Sequence, residues 1–388
     1  MDFYNKNILI IIHAGSLGGA ERQGLSLAKI LTEEYQCKVS LLLTFSRETS
    51  EEFNHYARSC HIQETFHFGE PYLVLKREWT YKNLKRLVWS SKYLWRMRKG
   101  LKPYKFDLIF PYLNFPSKIA FYMFKLLPSV KFTFWHQLGL DTFKNDHFEK
   151  YAAINIPCII ANAPNGIDLF FEAHPESKRP SFVLPQFLAL DYVFKDSKIL
   201  LQKYGLPENG VIVGMIAHYR KEKLHELLLS AFSEILEDNK NIYLVFLGNK
   251  NNSVTTIKIF ASLQEYIKRN GLSKNVKLIS EQPVYEILNV IDIGVLVSEI
   301  EGTPNIVMEY MAYGLPVVAT DHPGCQLLLK NSEFLIKNDK KTLKIALRRL
   351  INSAALRDSE GERNKSLIEE YTPENYLSNL RTIMKDFE

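Results

Sequence analysis

The chain has 388 residues, of which 46% are hydrophobic and 24% charged, and its formal net charge is +6. A single hydrophobic core usually stops growing near about 250 to 300 residues, so this length predicts two domains. The composition excludes a long disordered arm, and we predict no nucleic-acid partner.

The amino terminus predicts a buried strand, because Asp2 and a six-residue apolar run stand where a secretory signal needs basic residues and a longer apolar region. No apolar stretch approaches the roughly 20 residues that span a bilayer. Cys37, Cys60, Cys158 and Cys325 form no Cys-x-x-Cys pair, so they predict neither a zinc site nor a disulfide framework. We therefore expect a cytoplasmic protein in a reducing compartment.

Strands alternate with helices along both halves of the chain, a pattern typical of parallel sheets. In the first half we predict a helix at 20–31 and strands at 7–13, 39–44, 107–111 and 131–136. In the second half we predict helices at 225–236 and 255–270 and strands at 211–217, 242–247, 276–279 and 293–297. The simplest account is an α/β fold with two Rossmann-like units.

Turn signals divide these two units. Residues 206–210 read Leu-Pro-Glu-Asn-Gly just before the strand that restarts the pattern, and we place the interdomain linker at about 185–210. Near the end of the chain, Thr372 is a predicted N-cap and Pro373 the first residue of an amphipathic helix.

A glycine-rich turn at 13–22 joins the first predicted strand to the first helix. It does not predict a dinucleotide site, because the spacing is not G-x-G-x-x-G and the second strand is not followed by the acid that would hold a ribose. We predict instead that the backbone approaches a ligand closely at Gly19.

Residues 76–105 combine basic and aromatic side chains. They hold eleven lysines and arginines against the single acid Glu78, and three of the four tryptophans, Trp79, Trp89 and Trp95. This combination fits an anionic interface such as a membrane surface. The alternative is an amphipathic helix that only packs on its own domain.

The predicted strand at 211–217 runs into a cluster of cations at its carboxyl end. Arg220 and Lys223 suit a diphosphate, because one lysine at about 4 Å from a phosphate charge contributes on the order of 4 kcal/mol before desolvation is subtracted. Taken alone, such a cluster is more often a solvated turn.

The stretch 298–320 carries the clearest signals. A strand ends near Val297, Thr303 is a predicted cap for a helix that begins at Pro304, and Gly314 with Pro316 ends that helix. A second strand follows at once.

This pattern places Glu301 at the carboxyl end of a parallel strand, where open α/β sheets bind ligands, with the amides of Gly302, Thr303 and Asn305 beside it. Glu309 lies farther along the helix and can reach hydroxyls of the same ligand. An isolated pair of acids at this spacing is more often two solvated side chains, but the surrounding strand, cap and helix stop favour a site.

His136 ends the predicted strand at 131–136, again on the side where ligands bind. A lone histidine is usually structural, and the alternative is a contact with the bound ligand. The chain has no GxxxxGK[ST], HExxH, GxSxG or DxD motif, so we predict neither a cofactor nor a metal requirement.

Three of these stretches resemble the retaining glycosyltransferases of family 4, which have the GT-B fold and use nucleotide diphosphate sugars as donors. Residues 18–22 resemble the first loop of that family, 220–225 its phosphate-binding segment, and 301–320 its E-x7-E signature followed by Gly-x-Pro-Val-Val-Ala-Thr. The likeness extends over nearly the whole chain.

The resemblance implies a GT-B architecture in which two Rossmann-like domains with parallel sheets face an interdomain cleft. It implies an acceptor-binding domain at 1–190, a domain at 191–371 that binds the nucleotide sugar, and a terminal helix at 372–388 that returns to the first domain. Members retain anomeric configuration without an obligatory metal.

The resemblance also implies roles for single residues. Glu301 would lie against the transferred sugar and His136 would contact the donor hexose, so these two are the predicted catalytic residues. Glu309 would hold the ribose and Lys223 would neutralise the diphosphate. The other predicted donor-binding residues are Arg220, Gly302, Thr303, Asn305 and Gly19.

The chain departs from the family at two of these places. Ala217 and His218 replace the usual Gly-Arg, which leaves Arg220 as the substitute cation, and Gly248-Asn249-Lys250 replaces Gly-Asp-Gly, which predicts an atypical base pocket.

We therefore expect a glycosyltransferase that moves a hexose or N-acetylhexosamine to a glycan or lipid-linked acceptor in surface polysaccharide synthesis. Residues 76–105 would dock it at the inner face of the membrane. The alternatives are a GT-B-fold sugar-nucleotide epimerase and a non-catalytic binder of nucleotide sugars.

Overall fold

The computed structural model describes residues 2–45, 47–76, 80–139, 143–144, 146–189, 193–249 and 253–388. Trp79, Glu78, Lys250 and the predicted boundary at 190–191 lie outside the described residues. The chain divides into two compact units. The first unit comprises residues 1–189 and 371–388, and the second comprises residues 190–370.

The first unit is built on two parallel sheets, with strand orders β3-β2-β1-β4 and β5-β6-β7. Its strands are β1 (Asn7–Ile12), β2 (Lys38–Leu43), β3 (Thr65–Phe66), β4 (Leu108–Pro111), β5 (Trp135–Gln137), β6 (Ile159–Ala161) and β7 (Ser181–Val183). Its main helices are α1 (Gly19–Glu33), α2 (Glu51–Ser59), α3 (Tyr81–Leu101), α4 (Asn114–Leu126), α5 (His147–Asn155) and α6 (Pro164–Ala173).

The strand predicted at 131–136 is wrong in its extent. Phe132 forms a single parallel bridge to Leu108 of the first sheet, whereas β5 begins only at Trp135 and pairs with β6. The segment therefore leaves one sheet and joins the next, and its apolar sequence is explained by burial of Phe132, Phe134 and Trp135 along the way.

The second unit has one six-stranded parallel sheet of order β10-β9-β8-β11-β12-β13. Its strands are β8 (Val211–Ile216), β9 (Ile242–Leu247), β10 (Val276–Ile279), β11 (Ile293–Leu296), β12 (Val317–Thr320) and β13 (Leu335–Ile336). Its main helices are α7 (Ser197–Tyr204), α8 (His225–Asp238), α9 (Val254–Arg269), α10 (Val284–Leu288), α11 (Asn305–Ala312), α12 (Pro323–Leu329), α13 (Lys340–Asn352) and α14 (Ala354–Ile368).

The linker predicted at 185–210 is wrong in its extent, because α7 occupies part of it. Asp196 caps this helix by accepting a hydrogen bond from the Lys198 amide at 2.9 Å, and Gly205 ends it with a left-handed φ of 61°. Leu200 and Leu201 are buried, so this segment packs as a helix of the second unit.

The last helix of the chain, α15 (Pro373–Lys385), belongs to the first unit. It begins where the sequence predicts, and Thr372 Oγ accepts a hydrogen bond from the Asn375 amide at 3.2 Å. Its apolar face enters the core of the first unit through Tyr376, Leu377, Leu380, Ile383 and Met384. Among the described residues we find no helix that is both long and apolar enough to cross a membrane.

Candidate active site

The order of strands in the second unit indicates at which edge of its sheet a ligand is expected to bind. The chain runs from β8 outward to β9 and β10 on one side, and β11, β12 and β13 lie on the other. Open parallel sheets bind ligands at such a switch point, outside the carboxyl ends of the two central strands. Here those ends are followed by residues 217–224 after β8 and 297–304 after β11.

These two segments meet through an ion pair. Lys223 Nζ contacts Glu301 Oε1, and the two side chains are 17% and 6% exposed. The backbone supports the contact, because the Glu299 amide donates to the Glu222 carbonyl at 2.8 Å and Ser298 Oγ donates to the same oxygen at 3.1 Å. Two residues that the sequence assigned to one ligand from separate strands therefore lie side by side.

A polar network behind Glu301 fixes its loop. The Ser298 amide donates to Thr320 Oγ1 at 3.1 Å, Asn338 Nδ2 donates to the Ser298 carbonyl at 2.6 Å, and Thr320 Oγ1 donates to Asn338 Oδ1 at 2.8 Å. A ring nitrogen of His322 lies 2.8 Å from the Ser298 carbonyl. Sequence reasoning missed these positioning residues, although Thr320 and Asn338 stand at or just beyond the carboxyl ends of β12 and β13.

A glycine contact sets the position of the next peptide. A Cβ atom added to Gly324 would lie 1.7 Å from the Gly302 carbonyl oxygen and 2.8 Å from the Thr303 nitrogen. The first turn of α12 therefore packs backbone against backbone on the 302–303 peptide. Only glycine leaves room for this approach.

The helix after Glu301 begins one residue later than predicted. Pro304 is the N-cap residue and Asn305 the first residue of α11, so the prediction that Thr303 caps a helix starting at Pro304 is wrong. Thr303 and Pro304 are adjacent and both suit the start of a helix. The chain uses the later one as the N-cap. The predicted stop is confirmed, since Gly314 follows the helix with a left-handed φ of 69°.

Glu309 and Thr303 are both buried beside this helix start. The helix itself is anchored to β8 by Tyr310, whose hydroxyl accepts a hydrogen bond from the Ile216 amide at 2.8 Å. This contact fixes α11, and with it Glu309, relative to the end of β8.

The turn after β8 carries the second predicted cation, Arg220. Its side chain is 58% exposed and lies 3.8 Å from Glu222, so the described contacts place it outside the Lys223–Glu301 pair. The pKa of His218 is lowered by desolvation and then by Arg220 and Lys223. The two smaller contributions come from cations of this same turn.

The first unit has its own switch point, at the carboxyl ends of β1 and β4. After β4, Leu113 adopts a φ of 82° and a ψ of 164°, a region that normally requires glycine. Its amide donates to Nδ1 of His136 at 3.3 Å. Burial lowers the pKa of His136 to about 4, so the ring is neutral, and with Nδ1 as acceptor its proton resides on Nε2.

The turn after β1 contains Gly19, which is exposed and is the first residue of α1. The neighbouring Glu21 is buried, and its carboxylate accepts hydrogen bonds from backbone amides that include those of Ala14 and Gly18. Burial raises the pKa of Glu21, and these amide hydrogen bonds oppose the increase. Glu21 thus holds the glycine turn in shape, a role that the sequence analysis did not assign.

Three buried histidines predict how stability changes with pH. Desolvation is the main reason that the pKa values of His136, His174 and His225 are lowered to about 4, below the usual value of about 6.5. Between these values the unfolded chain binds protons that the folded chain does not, so stability is full above about pH 6.5 and falls as the pH drops. Each histidine accounts for up to about 2 kcal/mol at pH 5.

We expect urea unfolding at pH 7 and pH 5 to show this loss, and His174→Gln to make it smaller. A free energy of unfolding that is constant or rises between pH 7 and pH 5 would contradict the expectation.

Within the described ranges, no three His, Cys, Asp or Glu side chains are grouped so that they could hold a metal ion. Independence from metal stays a prediction.

Comparison with known proteins gives a family match within the second unit. Residues 196–367 match the family described as Glycosyl transferases group 1. An uncharacterized glycosyltransferase of Methanocaldococcus jannaschii is 25% identical over 260 residues, which are 61% of this chain and 61% of that protein. N-acetyl-alpha-D-glucosaminyl L-malate synthase of Bacillus anthracis is 25% identical over 201 residues, 50% of each chain. The chain therefore matches about half to three fifths of the length of these relatives.

Solved structures extend the likeness to both units. HepE of Anabaena, in complex with UDP-glucose, superposes with a TM-score of 0.78 at 16% identity, over 98% of this chain and 100% of that chain. At this identity the likeness concerns the fold. The predicted GT-B architecture, an α/β fold of two Rossmann-like domains with parallel sheets, is confirmed.

Proposed function

Because residues 196–367 match the glycosyl transferases group 1 family, we propose that the chain is a glycosyltransferase that uses a nucleotide diphosphate sugar. It moves a hexose or N-acetylhexosamine to a glycan or lipid-linked acceptor, with retention of anomeric configuration, as a member of family 4. The observation that carries this proposal is the Lys223–Glu301 pair at the switch point of the second unit.

Lys223 has the chemistry that the leaving group needs. As the bond to the sugar breaks, negative charge grows on the diphosphate, and a cation already held in place stabilises that charge without reorganising. In the structure the carboxylate of Glu301 pairs with this lysine. When the diphosphate binds Lys223, Glu301 is released to face the sugar, and Arg220 lies on the same turn as a second cation.

The neighbouring groups complete the proposed donor site. The amides of Gly302, Thr303 and Asn305 stand at the start of α11, where anionic oxygens are favoured. Glu309 on the same helix binds the ribose hydroxyls.

In the first unit, Nε2–H of the neutral His136 donates to a hydroxyl of the hexose. Gly19 offers close backbone approach at the switch point of that unit.

We further propose uridine as the base of the donor. The support is that the similar HepE structures of Anabaena contain UDP, UDP with glucose, or UDP-glucose. The proposed setting is surface polysaccharide synthesis in the cytoplasm.

A thermal-shift panel tests donor and base together. A ligand that binds only the folded state stabilises it by about 2.7 kcal/mol at a hundredfold excess over its Kd, so UDP-sugars are expected to raise Tm and GDP-sugars are not. The shift is expected to persist in EDTA, because the proposed site neutralises the diphosphate with lysine and backbone amides. A shift that EDTA abolishes would contradict the metal-free site.

Turnover of the bound donor separates the proposed enzyme from other GT-B proteins. A transferase consumes donor in the presence of acceptor and forms a glycosidic bond. Conversion of the free nucleotide sugar without acceptor would show an epimerase, and binding without conversion over a broad acceptor panel would show a binder. Either outcome would overturn the proposal.

A further inference from the structure

The positive charge of this protein is concentrated on α3 and the four residues that follow it. Nine of the 49 lysines and arginines lie within residues 81–105, which contain no Asp or Glu. The rest of the chain carries the remaining 40 against all 43 acidic residues. Without this segment the net charge would be −3, so residues 81–105 are a local cationic segment on an otherwise slightly acidic chain.

Helix α3 packs through a narrow seam. Its buried residues are Asn83, Ser90, Tyr93, Met97 and Leu101. These positions recur every three, four or seven residues, so they occupy one stripe of the helix. Most of the circumference of a helix about 31 Å long is left exposed.

The exposed face opposite this seam is apolar as well as cationic. Large hydrophobic side chains that stand in solvent include Tyr81, Leu84, Val88, Trp89 and Trp95, with Trp95 58% exposed. Lys85 and Lys99 lie over the rings of Tyr81 and Trp95 at 4.8 and 5.4 Å. We call this face, together with Lys92, the α3 surface.

Two neighbouring open depressions lie on the α3 surface and share Trp95 and Arg96. One, of about 680 Å³, continues past Lys99 to Phe68 and Tyr104. The other, of about 530 Å³, lies between Trp89, Lys92 and Tyr72. Each therefore joins aromatic walls to cationic groups, an arrangement that suits a phosphate carried on an apolar chain.

The segment before α3 is fixed to the binding edge of the first unit. Lys118, fully buried in the second turn of α4, donates to the Leu73 carbonyl and to Asp146 Oδ2, both at 2.8 Å. The His147 amide donates to the Leu75 carbonyl at 2.8 Å. Because α3 is a crossover between parallel strands β3 and β4, its first turn lies at the carboxyl edge of the sheet, the edge to which Leu113 and His136 belong.

We propose that the α3 surface docks on an anionic lipid bilayer, with tryptophan and aliphatic side chains in the interface and lipid phosphates on Lys92, Arg96 and Lys99. Aromatic and basic residues on one helical face have this preference. A second copy of the same face is disfavoured, because two such surfaces would oppose cation to cation. A bilayer supplies negative charge for the lysines and arginines of the α3 surface. It also supplies an apolar interior for the tryptophan and aliphatic side chains.

The docking places the carboxyl edge of the first unit's sheet, where we expect the acceptor to bind, near the membrane. In this respect it deepens the proposed function, because it favours the lipid-linked acceptor over a free glycan. Binding to the bilayer itself does not depend on that function and is measured without donor or acceptor.

Vesicle flotation of the full chain tests the proposal. With about 30 mol% phosphatidylglycerol in phosphatidylcholine, we expect binding at least about tenfold stronger than to phosphatidylcholine alone. Lys92→Glu with Lys99→Glu is expected to weaken binding to the anionic vesicles by about tenfold or more relative to the wild type. Trp89→Ser with Trp95→Ser is expected to weaken this binding at high salt as well as at low salt. The matched control is Lys268→Glu with Arg269→Glu on the exposed end of α9, which is expected to bind as the wild type does.

Several results would overturn the proposal. Equal binding to neutral and anionic vesicles would contradict a charge-specific surface. So would a loss of vesicle binding in the α9 control equal to that in the α3 variant. A dimer that dissociates in the tryptophan variant would show a second copy on this face, and capture of an acidic polysaccharide without vesicle binding would show a glycan groove. An unchanged Tm shift with UDP-sugar in the α3 variants shows that they fold and separates this test from that of the proposed function.

Discussion

Glu301→Gln is expected to lower kcat by about 100- to 1000-fold with little loss of stability. The amide keeps the shape of the side chain and one oxygen for Lys223, so the loop stays in place while its charge is lost. In the donor complex, where the diphosphate binds Lys223, the neutral amide lacks the negative charge that Glu301 presents to the sugar. The measurement is steady-state transfer from the donor that shifts Tm, with circular dichroism and Tm recorded on the same preparation.

Glu299→Gln is the control, because Glu299 is exposed on the same loop two residues away. It is expected to retain near wild-type kcat. The double variant Glu301→Gln with Lys223→Met is expected to lose far less kcat than the product of the losses in the two single variants. The reason is that the effects of residues acting as a unit are not additive. Wild-type transfer in Glu301→Gln would reject the role assigned to the carboxylate.

Gly324→Ala is expected to cost about 3 kcal/mol or more of stability and about 100-fold in kcat. The new methyl group would overlap the Gly302 carbonyl oxygen, and both partners are backbone, so neither can rotate away. The 302–303 peptide must then move, and Glu301 moves with it. Urea unfolding and steady-state kinetics measure the two losses.

Gln326→Ala, on the exposed side of the same helix α12, separates this steric effect from a general weakening of the helix. We expect it to change stability and kcat only slightly. If Gly324→Ala folds and turns over like the wild type, the contact between α12 and the Glu301 loop does not position the site.

The sequence predicted the second unit well because its strands are short apolar runs between turn residues. Strands β9 and β10 have the predicted bounds, and β8 and β11 end one residue early. Strand order is not readable from such runs, since any parallel arrangement buries them equally. Their order decides that Lys223 and Glu301, 78 positions apart, become neighbours.

Interpretations failed where two local signals competed or where the partner was distant. Adjacent Thr303 and Pro304 both suit a helix start, and the packing of α12 on this peptide was invisible in the sequence. The apolar run at 131–136 reads as one strand because burial, and not pairing, sets its composition. The network of Thr320 and Asn338 depends on strand order in the same way as the ion pair.

The most direct test of the account is calorimetric titration of UDP, with GDP in parallel, into the wild type and two lysine variants in the presence of EDTA. We expect the wild type to bind UDP, Lys223→Met to bind it about 10- to 100-fold more weakly, and Lys221→Met, altered at an exposed position of the same turn, to bind as the wild type does. Binding of neither nucleotide, or equal affinity in Lys223→Met and Lys221→Met, would contradict the claim that the Lys223–Glu301 edge holds the diphosphate.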